Sequence, residues 1–262
     1  GDVGLGIGRI LADDVHGPEF GAFHGLEHER QMQARLGIDR RAPDGLESGA
    51  RVGIGDVGEP GQFVGQRAHV AAALAGRFRE AWEILTQDNP LPAIHGRVCY
   101  HPCETACNRA VLDVPVSIHA VERFLGDRAI EESWPLVGPS QESGRKILVV
   151  GAGPSGLSVA YHLRRRGHEV EIREAGPVAG GMMHFGIPAY RLPRKILDAE
   201  VKRIEDLGVR IVLNHKVEEL LQEKEADGFD AVFVAIGAHL SKRVDIPARD
   251  AGKILDAVGF LK

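Results

Sequence analysis

The sequence of 262 residues has few cysteines, few aromatic residues and no excess of positive charge. Its three cysteines crowd into positions 99–107, so the disulfide framework of a small secreted protein is not expected. The formal net charge of -5 gives no electrostatic reason to expect a nucleic-acid partner. No apolar run approaches the roughly 18–20 residues of a membrane span, and no secretory signal is visible. We therefore expect a cytoplasmic protein that binds neither membrane nor nucleic acid.

Three parts of the chain differ in their hydrophobic pattern. Residues 1–66 hold close to half of the 33 glycines and show no sustained helical or strand period, so we assign no fold to them. Residues 67–133 predict a small helical domain, 134–144 a linker rich in proline and glycine, and 145–262 an α/β domain. The chain begins without a methionine and ends at Lys262 inside an apparently helical stretch, so both ends look cut.

The helical part is predicted from apolar residues at three- and four-residue steps, interrupted near Gly76: Val70, Leu74, Phe78, Trp82 and Leu85. This segment ends at Asn89-Pro90-Leu91-Pro92, because proline disfavours a helical residue before it. A cysteine-bearing loop is expected to follow. Ser117 then fits the N-cap of a helix that runs to about Glu132.

The second half of the chain alternates apolar strands with amphipathic helices. This order favours right-handed βαβ units around a parallel sheet. Strands are expected near residues 147–150, 169–173, 209–213 and 230–236, with helices near 154–166 and 194–207.

A glycine fingerprint follows the first of these strands, as Gly151-Ala-Gly-Pro-Ser-Gly156. Gly151 permits a tight turn, Gly153 lets the backbone approach a pyrophosphate, and Gly156 lets the helix lie close to the sheet. Pro154 suits the first position of that helix, whose free amides would bind phosphate. Glu174, roughly 20 residues on, would accept hydrogen bonds from ribose hydroxyls. The pattern predicts a dinucleotide site; the alternative is a glycine-rich turn without a ligand.

The cysteines occur as Cys99-Tyr-His-Pro-Cys103-Glu-Thr-Ala-Cys107, with His95 four residues upstream. Pro102 prevents one uninterrupted helix through this segment. Thiols so close together favour an iron-sulfur cluster, then zinc, then three buried thiols without a ligand.

Several sequence segments together resemble the glutamate synthase small subunit family and the N-terminal part of dihydropyrimidine dehydrogenase. The resemblance covers roughly residues 67–262. It rests on these segments: Asn89 to Cys107, Pro115-Val-Ser-Ile with Glu122-Arg123, the glycine fingerprint, Gly180-Gly-Met-Met-His-Phe-Gly-Ile-Pro-Ala-Tyr-Arg-Leu-Pro, Leu207-Gly-Val, and Asp230-Ala-Val-Phe-Val-Ala-Ile-Gly-Ala.

The resemblance implies an FAD-binding Rossmann-like domain with a parallel sheet, behind a helical domain of iron-sulfur type. It places Glu174 at the adenosine ribose and the backbone of Val217 at the adenine. The pyrophosphate would be held by Gly151, Ala152, Gly153, Pro154, Ser155 and Gly156, and other parts of the cofactor would be contacted by Gly180, Gly181, Met182 and Arg191. Gly237 would let the chain pass close to the flavin. Ordinary structural roles remain open: Met182 as core filler, Val217 as an edge residue, Arg191 on the surface and Gly237 in a strand-ending turn.

Two departures from the family pattern matter. Residues 53–69 contain no cysteine, so complete clusters of the family type cannot be assembled here. A single cluster ligated by Cys99, Cys103 and Cys107 with His95 and Glu122 remains possible. A second glycine fingerprint for NAD(P)H is also absent, so the nicotinamide would bind through sequence not present in this chain.

The leading hypothesis is an FAD-dependent NAD(P)H oxidoreductase subunit that passes electrons through iron-sulfur centres to a larger partner subunit. We name no catalytic acid, base or nucleophile. A second hypothesis is a non-catalytic adaptor with a vestigial dinucleotide fold. A third is a simple dehydrogenase in which the fingerprint binds NAD(P) directly.

Overall fold

The computed structural model describes residues 64–238 and Phe260. Within these, residues 102–117 belong to one compact unit, and residues 64–101 together with 118–238 belong to another. Among the described residues, no helix combines the length and apolar character needed to cross a bilayer. The glycine-rich segment 1–66, for which no fold is expected, lies outside the described residues except at its end.

The larger unit opens with helices that pack around aromatic side chains: α1 (Val64–Leu74), α2 (Phe78–Leu85), α3 (Pro92–Val98) and α5 (Ile118–Glu131). Gly76, at φ +76°, makes the predicted break between α1 and α2. Trp82 is fully buried, and its ring meets that of Trp134 edge-on at 5.8 Å. Helix α5 begins directly after Ser117, as predicted.

Helices α3 and α5 cross at backbone contact. A Cβ added to Gly126 would lie 2.4 Å from the backbone nitrogen of Ala93, and one added to Gly96 would lie 2.4 Å from that of Arg123. Side chains larger than hydrogen would therefore force the two helices apart. The smaller unit carries α4 (Pro102–Thr105) and a 3₁₀ turn (Asn108–Val111).

The expectation of a cysteine-bearing loop after Asn89-Pro90-Leu91-Pro92 was wrong for two stretches, because Pro92 and Pro102 each begin a helix, and proline is well suited to a first helical position.

The rest of the larger unit is the α/β part, whose four strands and two longer helices lie at the predicted positions. In chain order they are β1 (Lys146–Val150), α6 (Pro154–Arg165), β2 (Glu169–Arg173), α7 (Met182–Phe185), α8 (Arg194–Asp206), β3 (Arg210–Val212), α9 (Leu220–Ala226) and β4 (Ala231–Val234). The short helices α7 and α9 are not evident in the sequence, because neither is long enough to show a hydrophobic period.

The four strands form one parallel sheet in the order β3-β2-β1-β4. Strand β1 lies inside the sheet, and its Leu148 and Val149 are completely buried. The predicted α/β class with a parallel sheet behind a helical domain is confirmed. Because β2 and β4 flank β1 on opposite sides, the carboxyl end of β1 is a topological switch point, where ligands bind in open α/β sheets.

One hydrophobic core joins the helical and α/β parts of the larger unit. Leu91 and Ile94 belong to the same buried cluster as Leu157, Ile172 and Leu197. The predicted linker, residues 134–144, contains no helix or strand, and its residues after the buried Trp134 are exposed or half-buried.

Candidate functional site

The predicted fingerprint forms a tight turn at the carboxyl end of β1. Gly151 has φ +103°, and a Cβ there would lie 2.5 Å from the carbonyl oxygen of Ala235. A Cβ on Gly156 would lie 1.9 Å from the carbonyl oxygen of Gly151. Both positions therefore exclude any side chain, as the glycine roles inferred from the sequence require.

Gly153 differs from the other two glycines. A Cβ added to it would meet no atom within 4 Å, so open space lies in front of its backbone. Gly153 is also the N-cap of α6, and no side chain caps this helix. Pro154 occupies the first turn and has no amide hydrogen, while Ser155 lies exposed beside it. The free first-turn amides and the helix dipole together favour an anion at this position.

Glu174, which directly follows β2, points to the fingerprint turn. Its Oε2 accepts a hydrogen bond of 2.7 Å from the amide of Ala152, and its Oε1 accepts one of 2.7 Å from the amide of Gly176. A carboxylate has about four lone-pair positions, so each oxygen retains acceptor capacity for a ligand hydroxyl. The structure thus brings the predicted carboxylate and the predicted glycines together in one crevice.

The predicted double glycine lies against the fingerprint. The amide of Gly180 donates a 2.8 Å hydrogen bond to the carbonyl of Ala152. Gly181 has φ +53°, and a Cβ there would lie 2.9 Å from the Cα of Gly153. The loop that begins at Gly180 therefore forms one wall of the crevice, and its backbone approaches the fingerprint more closely than a side chain would allow.

Arg194 holds this loop in place and was missed by the sequence analysis. Its guanidinium donates to the carbonyls of Met183 and Leu192, each at 3.1 Å, and to that of Ile187 at 2.8 Å. Arg194 opens α8, where the helix dipole disfavours a cation. That unfavourable position is the signal in the sequence from which the role of Arg194 could have been recognised.

Four other predicted residues lie on different segments of the α/β part. Met182 is 49% exposed at the start of α7, and Arg191 is exposed on the loop before α8. Val217 is half-buried and packs against the cluster of Leu148, Val150 and Phe229, after a loop whose His215 amide donates to the carbonyl of Glu174 at 2.8 Å. Gly237, at φ +71°, has open space in front of it.

The cysteine segment is divided between the two units. Cys99 is exposed at the end of α3, and its sulfur accepts a 3.3 Å hydrogen bond from the amide of His101. Cys103 and Cys107 are half-buried in the smaller unit, and none of the three cysteines forms a disulfide.

The two predicted non-cysteine ligands lie on neighbouring helices of the larger unit. Burial lowers the pKa of His95 below 6.5, which keeps its imidazole neutral and able to ligate a metal. Glu122 accepts a 3.4 Å hydrogen bond from the side-chain amide of Asn89. Four thiolates hold a [4Fe-4S] cluster, and the chain has three cysteines, so a cluster on this chain requires a ligand of another type.

Comparison with protein families finds a match for the helical part and another for the α/β part. Residues 64–134 match the family described as dihydropyrimidine dehydrogenase domain II, 4Fe-4S cluster. Residues 149–223 match the NAD(P)-binding Rossmann-like domain family. The chain therefore combines an iron-sulfur-type helical domain with a dinucleotide-binding domain.

Curated proteins with this combination are similar over most of the chain. Subunit beta of the NADP(+)-dependent formate dehydrogenase of Moorella thermoacetica is 39% identical over 220 residues, covering 74% of this chain and 31% of that protein. The glutamate synthase [NADPH] small chain of Bacillus subtilis is 34% identical, covering 71% and 38%. Subunit PreT of the NAD-dependent dihydropyrimidine dehydrogenase of Escherichia coli is 32% identical, covering 78% and 48%.

The chain spans between about a third and a half of the length of these relatives. Their similarity runs through the helical domain and the fingerprint alike. The resemblance recognised in the sequence is thereby confirmed: the chain is similar to the glutamate synthase small chain and to subunits of related oxidoreductases, and in it a 4Fe-4S-type domain precedes a Rossmann-like domain.

Proposed function

We propose that this chain is the FAD-binding, electron-transferring part of an NAD(P)H-dependent oxidoreductase. The observation that carries the proposal is the crevice in which open space at Gly153, an uncapped helix start and the Glu174 carboxylate meet. Bound FAD would supply two-electron acceptance and one-electron release. The residues of the chain would bind and orient it.

Each residue of the crevice has a distinct task in this proposal. The amides at the start of α6 receive the diphosphate, which Gly153 admits because it has no side chain. Glu174 accepts hydrogen bonds from the ribose hydroxyls. Gly180 and Gly181 line the crevice with backbone, and Met182, Arg191, the backbone of Val217 and Gly237 contact the remainder of the cofactor.

The acidic side chain narrows the choice of dinucleotide at this site. A carboxylate at the ribose repels the 2′-phosphate of NADP, so the crevice suits FAD or NAD rather than NADP. Relatives named for NADPH or NADP(+) would then bind that cofactor elsewhere. This argument leaves FAD and NAD as candidates for the fingerprint, and the resemblance at Gly180, Gly181 and Arg191 favours FAD.

In the same proposal, the cysteine segment would hold the iron-sulfur cluster through which electrons leave the flavin. Cys99, Cys103 and Cys107 provide three thiolates, and His95 and Glu122 are the candidates for a further ligand. Two relatives are named as subunits and one as a small chain, which supports a larger partner subunit as the electron acceptor.

A matched pair of glycine substitutions tests the crevice. Gly153→Ala and Gly138→Ala both add a methyl group where the protein leaves room: nothing lies within 4 Å at Gly153, and the nearest atom at Gly138 is 3.9 Å away. We expect unchanged thermal stability for both. Titration of flavin fluorescence should show FAD binding weakened roughly tenfold or more in Gly153→Ala alone, because the methyl group occupies the space of the diphosphate.

The same titration separates the competing hypotheses. Equal affinities in the two variants would contradict diphosphate binding at Gly153. A wild-type chain that purifies colourless and does not bind added FAD would favour the adaptor hypothesis. Release of NAD instead of FAD on denaturation, identified by chromatography, would favour the simple dehydrogenase.

A further inference from the structure

A buried carboxylate connects the α/β part of the larger unit to the helix that precedes Cys99. Glu200, in α8, is 1% exposed. Its two oxygens accept hydrogen bonds of 3.2 Å each from the amides of Ala93 and Ile94. These amides lie in the first turn of α3, where amides have no partner within the helix. At its other end α3 leads directly into Cys99.

Other contacts of α3 hold it within the helical part. Arg97 donates two hydrogen bonds, of 2.7 and 2.8 Å, to the carboxylate of Asp127 in α5. Gly126 of α5 lies against the backbone of Ala93. These contacts bind α3 to α5, whereas Glu200 binds it to the α/β part that carries the glycine fingerprint.

The chemistry of Glu200 argues for a role in orientation. Burial of a carboxyl group is costly, and well-packed apolar side chains in place of buried polar or ionic groups often leave a protein equally stable. Two hydrogen bonds to successive amides define both the direction and the register of α3, which apolar packing does less strictly. Arg203, one turn further along α8, faces the same interface with its guanidinium 5.3 Å from the ring centroid of Trp82.

We propose that Glu200 is a positioning residue, which fixes α3 and thereby Cys99 in one orientation relative to the cofactor crevice. The inference rests on the proposed function, in which electrons pass between that crevice and the cysteine segment. Such transfer depends steeply on the distance between donor and acceptor. A loosely held α3 would therefore slow it even where both sites were intact.

Pulsed electron paramagnetic resonance of a spin-labelled chain measures this orientation without any cofactor. Nitroxide labels are attached to Cys99 and to an Asp198→Cys substitution at an exposed position of α8, with Cys103 and Cys107 changed to serine. We expect a narrow distance distribution with native Glu200 and a broadened or shifted one with Glu200→Met. Glu205→Gln, an exposed glutamate of the same helix, is the matched control and should leave the distribution narrow.

Amide hydrogen exchange of the unlabelled full chain gives a second measure. Exchange within residues 93–98 should accelerate roughly tenfold in Glu200→Met, which corresponds to about 1.4 kcal/mol. Exchange of strand β1 should not change. Glu200→Gln retains one acceptor oxygen and should give an intermediate result, and it takes the place of Glu200→Met if that variant does not fold.

An unchanged distance distribution, with exchange raised evenly along the chain, would overturn the proposal and leave Glu200 a general contributor to stability. FAD titration of the Glu200 variants distinguishes this outcome from failure of the proposed function. Glu200 has no hydrogen bond to the crevice, so its variants should bind FAD as the parent chain does. A parent chain that does not bind FAD would contradict the proposed function, while the label distances would still decide the role of Glu200.

Discussion

Helices α3 and α6 both begin with backbone amides that have no partner within the helix, but the two helix starts differ in what lies in front of these amides. Neither helix is capped by the side chain of its own N-cap residue, Leu91 or Gly153. At α3 the buried carboxyl group of Glu200 accepts hydrogen bonds from the first amides, whereas at α6 the space in front of Gly153 is open. A helix start whose amides bind a side chain of the protein itself stabilises the fold. One that opens into a crevice beside a second carboxylate is suited to an anionic ligand.

The largest expected effect is the pH dependence of stability that Glu200 causes at the start of α3. Burial raises the pKa of Glu200 from 4.5 to about 8. The unfolded chain releases this proton near pH 4.5, while the folded protein retains it until about pH 8. Because the folded-state pKa is raised, the contribution to stability is fully present below pH 4.5 and is lost as pH rises to about 8.

We expect this loss to be on the order of 4 kcal/mol, measured by urea unfolding across the pH range. Glu200→Gln should remove that part of the pH dependence, since the amide does not titrate. Glu205→Gln should preserve it. A wild-type profile that is flat over this range would show that Glu200 is ionised in the folded protein.

The next largest effect is expected at Gly156, where the start of α6 lies close to the sheet. Gly156→Ala would place its Cβ 1.9 Å from the carbonyl oxygen of Gly151. The helix would have to move, and we expect the free energy of unfolding to fall by about 3 kcal/mol. Denaturant unfolding measures the loss. If Gly156→Ala were as stable as Gly138→Ala, the close helix-sheet contact would not be a requirement of this fold.

The smallest effect distinguishes two arginines beside the crevice. Arg194→Met removes the donors to three carbonyls, and we expect a stability loss of about 2 kcal/mol together with weaker FAD binding. Arg191→Met changes an exposed side chain, so stability should stay within about 0.5 kcal/mol of the parent.

Thermal unfolding and FAD titration of both variants separate the two roles. A loss of FAD affinity in Arg191→Met without loss of stability would support direct contact with the cofactor. Unchanged affinity would leave Arg191 a surface residue. If Arg194→Met were as stable as the parent, the loop that begins at Gly180 would not depend on the hydrogen bonds of Arg194.

The crevice was more predictable from the sequence than the surroundings of the cysteines. Gly151, Gly156 and Gly181 are required by backbone geometry, and glycine at such positions forms a spacing pattern that is visible in the sequence. Glu174 follows a strand at the expected distance, and the parallel sheet brings it to the same edge. The cysteines indicate a type of ligand, but His95 and Glu122 could be proposed as further ligands only from the resemblance.

The amino-acid sequence alone determined which segments form the four strands and the two longer helices of the α/β part, where the turn at Gly151 lies, and which carboxylate faces it. These features depend on residues close together in sequence or on the regular geometry of a parallel sheet. Only the tertiary structure decided that Arg194 holds the loop before it and that Glu200 caps a helix 106 residues away. Such contacts follow from how helices pack, and no periodicity along the chain records which side chain will meet a distant backbone amide.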